Sequence, residues 1–395
     1  LSASLSHFKN YLAPTSPFPL GIEVDRAEGL YIYDVHGKAY LDLISGIAVS
    51  NLGHGHPKVK EAIKAQVDKH LHVMVYGEYA QSSLNDLAEK LLEKLPANLT
   101  SCYFTNSGAE AIEGALKLAK RYTGRSELIA FRGAYHGSTH GALSVSGNET
   151  KKRAFRPLLP QVQFLNFNRE EELSRINEKT AAVIVEPIQG DAGVRIPDPN
   201  FLPALRKRCN EVGALLIFDE IQTGIGRTGT LFAFEQFGVA PDILCSAKAL
   251  GGGLPLGTFI ASREMMQCFT EKPMLGHITT FGGNPVSCSA ALATLQVIEE
   301  EQLLAKVEEK GRLFEQLLKH HRIVEVRRRG LFFAFEFQTA EEVQEVVQFC
   351  LSKGVICFWF LSCPNSFRIA PPLNISFKEI EDACAIIQEA LEQLA

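Results

Sequence analysis

The sequence predicts an α/β protein, with a mostly parallel sheet between helices in a large domain and a smaller α+β domain beside it. Three observations predict it. Seven short apolar runs, SCYFT, ELIAF, VQFLNF, AAVIVE, ALLIFDE, DILCSA and GTFIA, alternate with helical stretches from about residue 100 to 262. The runs are apolar on both faces, as strands are when helices cover both sides of a parallel sheet. Polar or charged residues stand directly after them: Asn106 and Ser107, Tyr135 and His136, Glu186, Asp219 and Glu220, then Lys248. In open α/β sheets the ligand crevice lies outside the carboxyl ends of the strands, so these side chains are expected to converge.

Taken in order, the N-terminal stretch GLYIYDVHGKAYLDL reads as short strands with turns, packing on the C-terminal region. After SCYFT, the segment AEAIEGALKLAKRYTG places Ala109, Ile112, Leu116 and Ala119 on one helical face and stops at Gly124. Beyond residue 285 the texture changes to long amphipathic helices, the first expected to run from about Val286 past Leu318. Two later helices open with capping boxes, Thr339 with Glu342 and Ser376 with Glu379, and the former is expected to end before Gly354. The chain therefore divides into an N-terminal part of the small domain (1–44), a large domain (45–286) and the C-terminal small domain (287–395). No internal repeat, low-complexity tract or long linker interrupts it.

The composition excludes several classes. The 395 residues are 46% hydrophobic and 22% charged, with a formal net charge of -5. That balance leaves no basic footprint for nucleic acid, and the one basic triplet, Arg327 to Arg329, runs into the apolar LFFAFEF. No apolar run approaches the roughly 18 to 20 residues that span a bilayer. The first residues lack a basic region followed by an apolar one, which gives a cytoplasmic expectation. Nine scattered cysteines without a CxxC pair suit reduced thiols better than disulfides or a zinc cage.

Four features carry chemistry. Ser107, Gly108 and Ala109 open a helix, where free amides and the helix dipole make an anion site that fits a phosphate; a plain helix cap reads the same way. Gly224, Gly226 and Gly229 spell a GxGxxG, yet the motif lies mid-chain and begins with unexplained Asp219, Glu220 and Gln222, so a nicotinamide dehydrogenase is a remote alternative. Asp219 ends an apolar strand and needs a cation there: a pyridinium nitrogen, or an ordinary Arg or Lys partner. Lys248 closes DILCSA ahead of the glycine-rich ALGGGLPLG, where apolar surroundings lower an amine's pKa and make it a nucleophile. His136 and His140 have HxxxH spacing but no helical Glu between them, so no metal site is expected.

In sequence order, LDLISGIAVSNLGHGHP, TNSGAEAIEGALKLAK, AYHGST, VIVEPIQGDAGV, LIFDEIQTGIGRTG, SAKALGGGLPLG, TTFGGNP and FRIAPPL cover nearly the whole chain. With these motifs the sequence resembles the class III (subgroup II, ω-amino acid) aminotransferases of the fold-type I pyridoxal phosphate enzymes. The resemblance implies a seven-stranded large domain and an obligate homodimer with shared sites. It implies that Lys248 holds the cofactor as a Schiff base, Asp219 binds the pyridine nitrogen, Gln222 the phenolic oxygen, and Ser107, Gly108 and Ala109 the phosphate. Tyr135 and Ile221 would cover the two ring faces, with His136 a structural or cofactor-side residue, and Thr280 would reach the phosphate of the neighbouring subunit. Arg368 would bind the carboxylate of 2-oxoglutarate or glutamate and be masked by Glu186 when a terminal amine enters.

Two departures bear on the donor. The acetylornithine, ornithine and 4-aminobutyrate enzymes carry an Arg where this chain has Ser138, and ornithine enzymes a Tyr where it has Ile47. A neutral serine cannot replace a charge-assisted fork on a carboxylate. Tyr76 is a further candidate substrate contact. The general pattern stays closest to the acetylornithine and ornithine group. A racemase, aminomutase or decarboxylase of the same fold would use the same Lys and Asp, and lacks only the need for an oxo-acid acceptor.

Overall fold

A computed structural model describes residues 3–75 and 77–394. Tyr76 lies outside the described residues. In chain order the strands are β1 (Val24–Glu28), β2 (Tyr31–Asp34), β3 (Ala39–Asp42), β4 (Ser101–Thr105), β5 (Glu127–Phe131), β6 (Val162–Leu165), β7 (Thr180–Val185) and β8 (Leu215–Asp219). They continue as β9 (Ile243–Ser246), β10 (Gly257–Ala261), β11 (Glu325–Arg329), β12 (Phe332–Glu336), β13 (Val355–Ile356), β14 (Phe358–Trp359) and β15 (Ser366–Ile369).

Strands β4 to β10 form one seven-stranded sheet in the order β4-β10-β9-β8-β7-β5-β6. Only β10 runs antiparallel to its neighbours, β4 and β9. All seven apolar runs of the sequence are strands of this sheet. Every residue of β7, β8, β9 and β10 is buried, which is why they show no alternation of polar and apolar positions. Each large apolar side chain so buried contributes roughly 1.5–3 kcal/mol of transfer free energy. The sheet is thus a rigid base, and the strand ends that carry the polar residues are held by it.

The first three strands join the far end of the chain. β3 pairs in parallel with β13, Leu41 opposite Val355, and Leu30, Leu41 and Leu43 share an apolar core with residues from Val307 to Leu394. A second small sheet, ordered β11-β12-β15-β14, is antiparallel throughout. Both capping boxes form, at Thr339 with Glu342 and at Ser376 with Glu379, and Gly354 follows the first of these helices at a φ of 84°.

The helix expected to run unbroken from Val286 past Leu318 is two helices, Pro285–Glu300 and Val307–Leu317. The first packs with the large core through Cys288, Ala291, Leu295 and Ile298, and the second apolar core takes up the chain from Val307. Gln302 adopts a left-handed conformation at φ 49°, which ends the α-helix, while Leu303 and Leu304 continue the apolar pattern because they face both cores. Among the described residues no helix is long and apolar enough to cross a membrane.

Candidate active site

A cavity of about 540 Å³ opens at the carboxyl ends of the large sheet. Its lining includes Ser107, Gly108, Ala109, Tyr135, His136, Ser138, Glu186, Asp219, Ile221, Gln222 and Lys248, so eleven of the fifteen residues singled out from the sequence converge there.

The anion end is built by the turn from β4 into the helix Gly108–Thr123. Ser107 is extended at φ -152° and caps that helix, its hydroxyl accepting from the Glu110 amide at 3.2 Å. Glycine is required twice here. A Cβ at Gly257, where β10 begins, would collide with the Ser107 carbonyl, and one at Gly108 would lie 2.8 Å from Ile221 Cδ1. The turn therefore sits tightly between β10 and Ile221, with the Gly108 and Ala109 amides at a helix N-terminus, where an anion is stabilised.

Asp219, at the end of β8, is buried with both oxygens engaged. His136 Nδ1 lies 2.7 Å from Oδ2, and the Ile221 amide donates to Oδ1 at 3.0 Å. Gln222 reaches into the cavity past Gly190, where any Cβ would strike its side-chain oxygen. Two buried polar atoms in this region, Gln222 Nε2 and His136 Nε2, have no hydrogen-bond partner among the described residues. Lys248 follows β9 with a left-handed φ of 49°, a conformation that costs a lysine on the order of 1 kcal/mol and brings its side chain to the cavity wall. Burial lowers the pKa of its amine. Asp219 opposes that shift, Arg368 adds to it, and Glu186 and Asp191 oppose it, so these four groups all lie within electrostatic range of Lys248.

Glu186 and Arg368 do not pair in this structure. Glu186 accepts from the Tyr135 amide at 3.0 Å and the Gly190 amide at 2.8 Å, and burial pushes its carboxyl up to about 7. The carboxylate beside Arg368 is Asp191, five residues further along the same segment, at 3.5 Å from Nη2. The turn that fixes Glu186 between two amides carries Asp191 across to β15, and this corrects the pairing expected from sequence. Arg368 is 4% exposed, stacks 4.3 Å over the Phe360 ring, and has its guanidinium pKa lowered to about 10 by burial.

The remaining candidates lie at the edges. Ser138 is exposed on the rim, its hydroxyl 3.2 Å from that of Tyr135. Ile47 does not line the cavity; residues 45 to 48 all have positive φ, a left-handed turn that puts Val49 on the wall instead. Thr280 is exposed and does not line the cavity of its own chain. Gly226 and Gly229, at φ 90° and 101°, sit in a run of turns packed on Leu304, Leu373 and Val307, so the GxGxxG serves domain packing and opens no helix. His54 and His56 take separate carboxylates, Asp42 and Glu301.

An aromatic phosphate ester with a ring nitrogen fits this donor set: amides for the phosphate, an acid buried at ring depth, an orphaned amide at Gln222 and an amine at Lys248. The comparisons point the same way. A family model described as aminotransferase class-III matches residues 11–391. The chain is 41% identical over 386 residues to the acetylornithine aminotransferase of Methanopyrus kandleri, covering 97% of each. Among solved structures, a transaminase from the marine bacterium Virgibacillus superposes with a TM-score of 0.91 at 27% identity, over 98% of both chains. The ornithine aminotransferase of Toxoplasma gondii, described with partial occupancy of pyridoxal phosphate at its active site, superposes at 0.90 with 28% identity, over 98% of this chain and 93% of that one. With Lys248 and Asp219 at the strand ends and the phosphate turn beside them, the chain belongs to the class-III aminotransferases, enzymes that transfer amino groups with pyridoxal phosphate.

Proposed function

We propose that the enzyme takes an amino group from the terminal amine of an amino acid or amine and passes it to a 2-oxo acid such as 2-oxoglutarate, in two half-reactions at one site. The observation that carries this reading is Arg368, a buried guanidinium near Lys248 whose only carboxylate neighbour within 4 Å, among the described residues, is 3.5 Å away. A planar fork of donors suits the carboxylate of a 2-oxo acid, and Asp191 balances its charge when a carboxylate-free terminal amine occupies the site.

When bound, pyridoxal phosphate supplies an electron sink next to the reacting carbon. Ser107, Gly108 and Ala109 would hold its phosphate, Asp219 would face the ring nitrogen and Gln222 the phenolic oxygen. Tyr135 and Ile221 would cover the two faces. His136, through its 2.7 Å contact, holds Asp219 in place. Lys248 Nζ would be the cofactor's covalent anchor and the base that holds and returns the proton at the reacting carbon; its lowered pKa favours the free amine that both tasks need.

A homodimer with shared sites is part of the same reading. Leu71, Tyr79, Met274, Leu275, Ile278 and Phe281 are all exposed, and their two segments touch where Phe281 meets the His72 ring and Asn284 bonds the Leu71 carbonyl. An apolar face of this kind, next to Thr280, suits a second copy that receives Thr280 at its phosphate. The nine free cysteines, most of them buried, suit a reducing, cytoplasmic setting.

The test is an amine-donor screen on the holoenzyme with 2-oxoglutarate and pyruvate as acceptors. It is read by the change in cofactor absorbance and by amino-group exchange with labelled glutamate. N-acetylornithine, ornithine and simple terminal amines are the first donors, because Ser138 leaves the far end of the donor without a charged grip. Conversion by terminal amines is expected. Conversion only of α-amino groups would overturn the donor assignment.

A further inference from the structure

Asp191 is held by more than Arg368. The Leu361 amide donates to its Oδ1 at 3.1 Å and the Ser362 hydroxyl to its Oδ2 at 2.7 Å, both from the loop between β14 and β15. Ser362 is itself fixed from the large domain, accepting from Asn148 Nδ2 at 2.9 Å. Arg368 reaches Oδ1 only at 3.5 Å, and its Nε has no partner among the described residues although it is buried. An isolated Arg and Asp this close and this buried would be expected to close into a bidentate fork, with two short charge-assisted bonds. Here the two loop donors already engage both carboxylate oxygens, and Oδ2 points to Ser362 instead of to the guanidinium.

We infer that Ser362 is a positioning residue that holds Asp191 off Arg368, so that Arg368 can receive an acceptor carboxylate without first breaking a tight ion pair. This rests on the reading of Arg368 as the acceptor's anchor. The loop contributes twice: Phe360 stacks under the guanidinium and fixes its plane, while Leu361 and Ser362 turn the opposing carboxylate away. Without the Ser362 hydroxyl, Oδ2 loses its partner, and the guanidinium, already 3.5 Å from Oδ1, is a donor on the same carboxylate. Asp191 would then close on Arg368. The pair would tighten against 2-oxo acids and, for the same reason, neutralise Arg368 better when a terminal amine occupies the site.

The two half-reactions should therefore move in opposite directions. A hydrogen bond to a charged group is worth enough to change an affinity by on the order of tenfold. In holoenzyme carrying Ser362→Ala, the apparent Kd for 2-oxoglutarate in the second half-reaction should rise by about that factor, while the apparent Kd for the terminal-amine donor falls. Ser362→Thr keeps the hydroxyl and should restore both. Arg368→Ala is measured in parallel and should weaken 2-oxoglutarate binding. If Arg368→Ala does so but Ser362→Ala leaves both half-reactions unchanged, or weakens both alike, the positioning role is wrong and the acceptor reading stands. If Arg368→Ala leaves 2-oxoglutarate binding unaffected, the acceptor reading falls and the inference with it.

Discussion

Asp219, on the cavity wall at the end of β8, has its oxygens engaged at 2.7 Å by His136 and 3.0 Å by the Ile221 amide, whereas Arg368, on β15, meets its carboxylate only at 3.5 Å and its Nε has no partner among the described residues. The first arrangement sits on strands buried along their whole length. The second is assembled between β15 and a loop, from residues more than 170 positions apart in sequence. The difference corresponds to what each side is proposed to hold. A resident cofactor is served by groups fixed beforehand, because their positions need not change between half-reactions. A guest carboxylate that must come and go is served by a charge whose existing partner is easy to leave.

Removing the covalent anchor gives the largest effect and tests the fixed side. Lys248→Ala takes away both the bond to the cofactor and the proton-carrying amine, so both half-reactions should fall by about 10³-fold or more, with the fold intact by circular dichroism. Borohydride reduction should no longer link the cofactor to the protein. A retained link would move the anchor to another lysine, and the loss of only one half-reaction would break the contrast between the two sides.

A smaller effect comes from two carboxyls buried beneath the site. Glu186 and Glu220 are each pushed up to about 7 by burial, above the ordinary carboxyl value of 4.5. Below pH 4.5 both are protonated in folded and unfolded chains alike and contribute nothing. Between pH 4.5 and 7 the unfolded chain releases protons that the folded chain keeps, so stability falls as pH rises, by about 3 kcal/mol for Glu220 and in the same direction for Glu186, and the loss is complete above pH 7. Glu220 accepts from the Thr223 hydroxyl at one oxygen and from the Phe234 amide at 2.7 Å at the other, and glutamine keeps both contacts if its Nε2 donates to the Thr223 hydroxyl. In the apoprotein, Glu220→Gln should therefore narrow the drop in unfolding midpoint between pH 5.5 and pH 8. An unchanged drop would show that Glu220 does not carry that share.

The sequence was most readable where burial is complete. Strands apolar on both faces announce a covered parallel sheet, and a lone Asp or Lys at such a strand's end has few roles open to it. Asp219 and Lys248 could be picked out for that reason. The helix break at Gln302 could not be seen, because no Gly or Pro marks it and Leu303 and Leu304 keep the apolar period by serving two cores. Asp191 was missed in favour of Glu186 because both acids stand in one short segment, and only the turn between them decides which faces Arg368. The second acid in VEPIQGD was the available signal. Ser362 left none, since its partner is 171 positions away and a serine in a loop has many ordinary explanations. Ile47 falls off the cavity wall because of a left-handed turn from Ser45 to Ala48, three of whose residues are not glycine, which is not what those residue types predict.

The central claim is that the cofactor machinery and the acceptor grip are separate devices, the second at Arg368 within electrostatic range of Lys248. Single-turnover measurement of the two half-reactions in Arg368→Ala holoenzyme tests it most directly. The claim predicts that amino transfer from a terminal-amine donor to the cofactor keeps a rate within a few-fold of wild type, while return of the amino group to 2-oxoglutarate is weakened by about 10² or more, the share expected of a bidentate charge-assisted pair. Equal loss in both half-reactions, or none in the second, would contradict it.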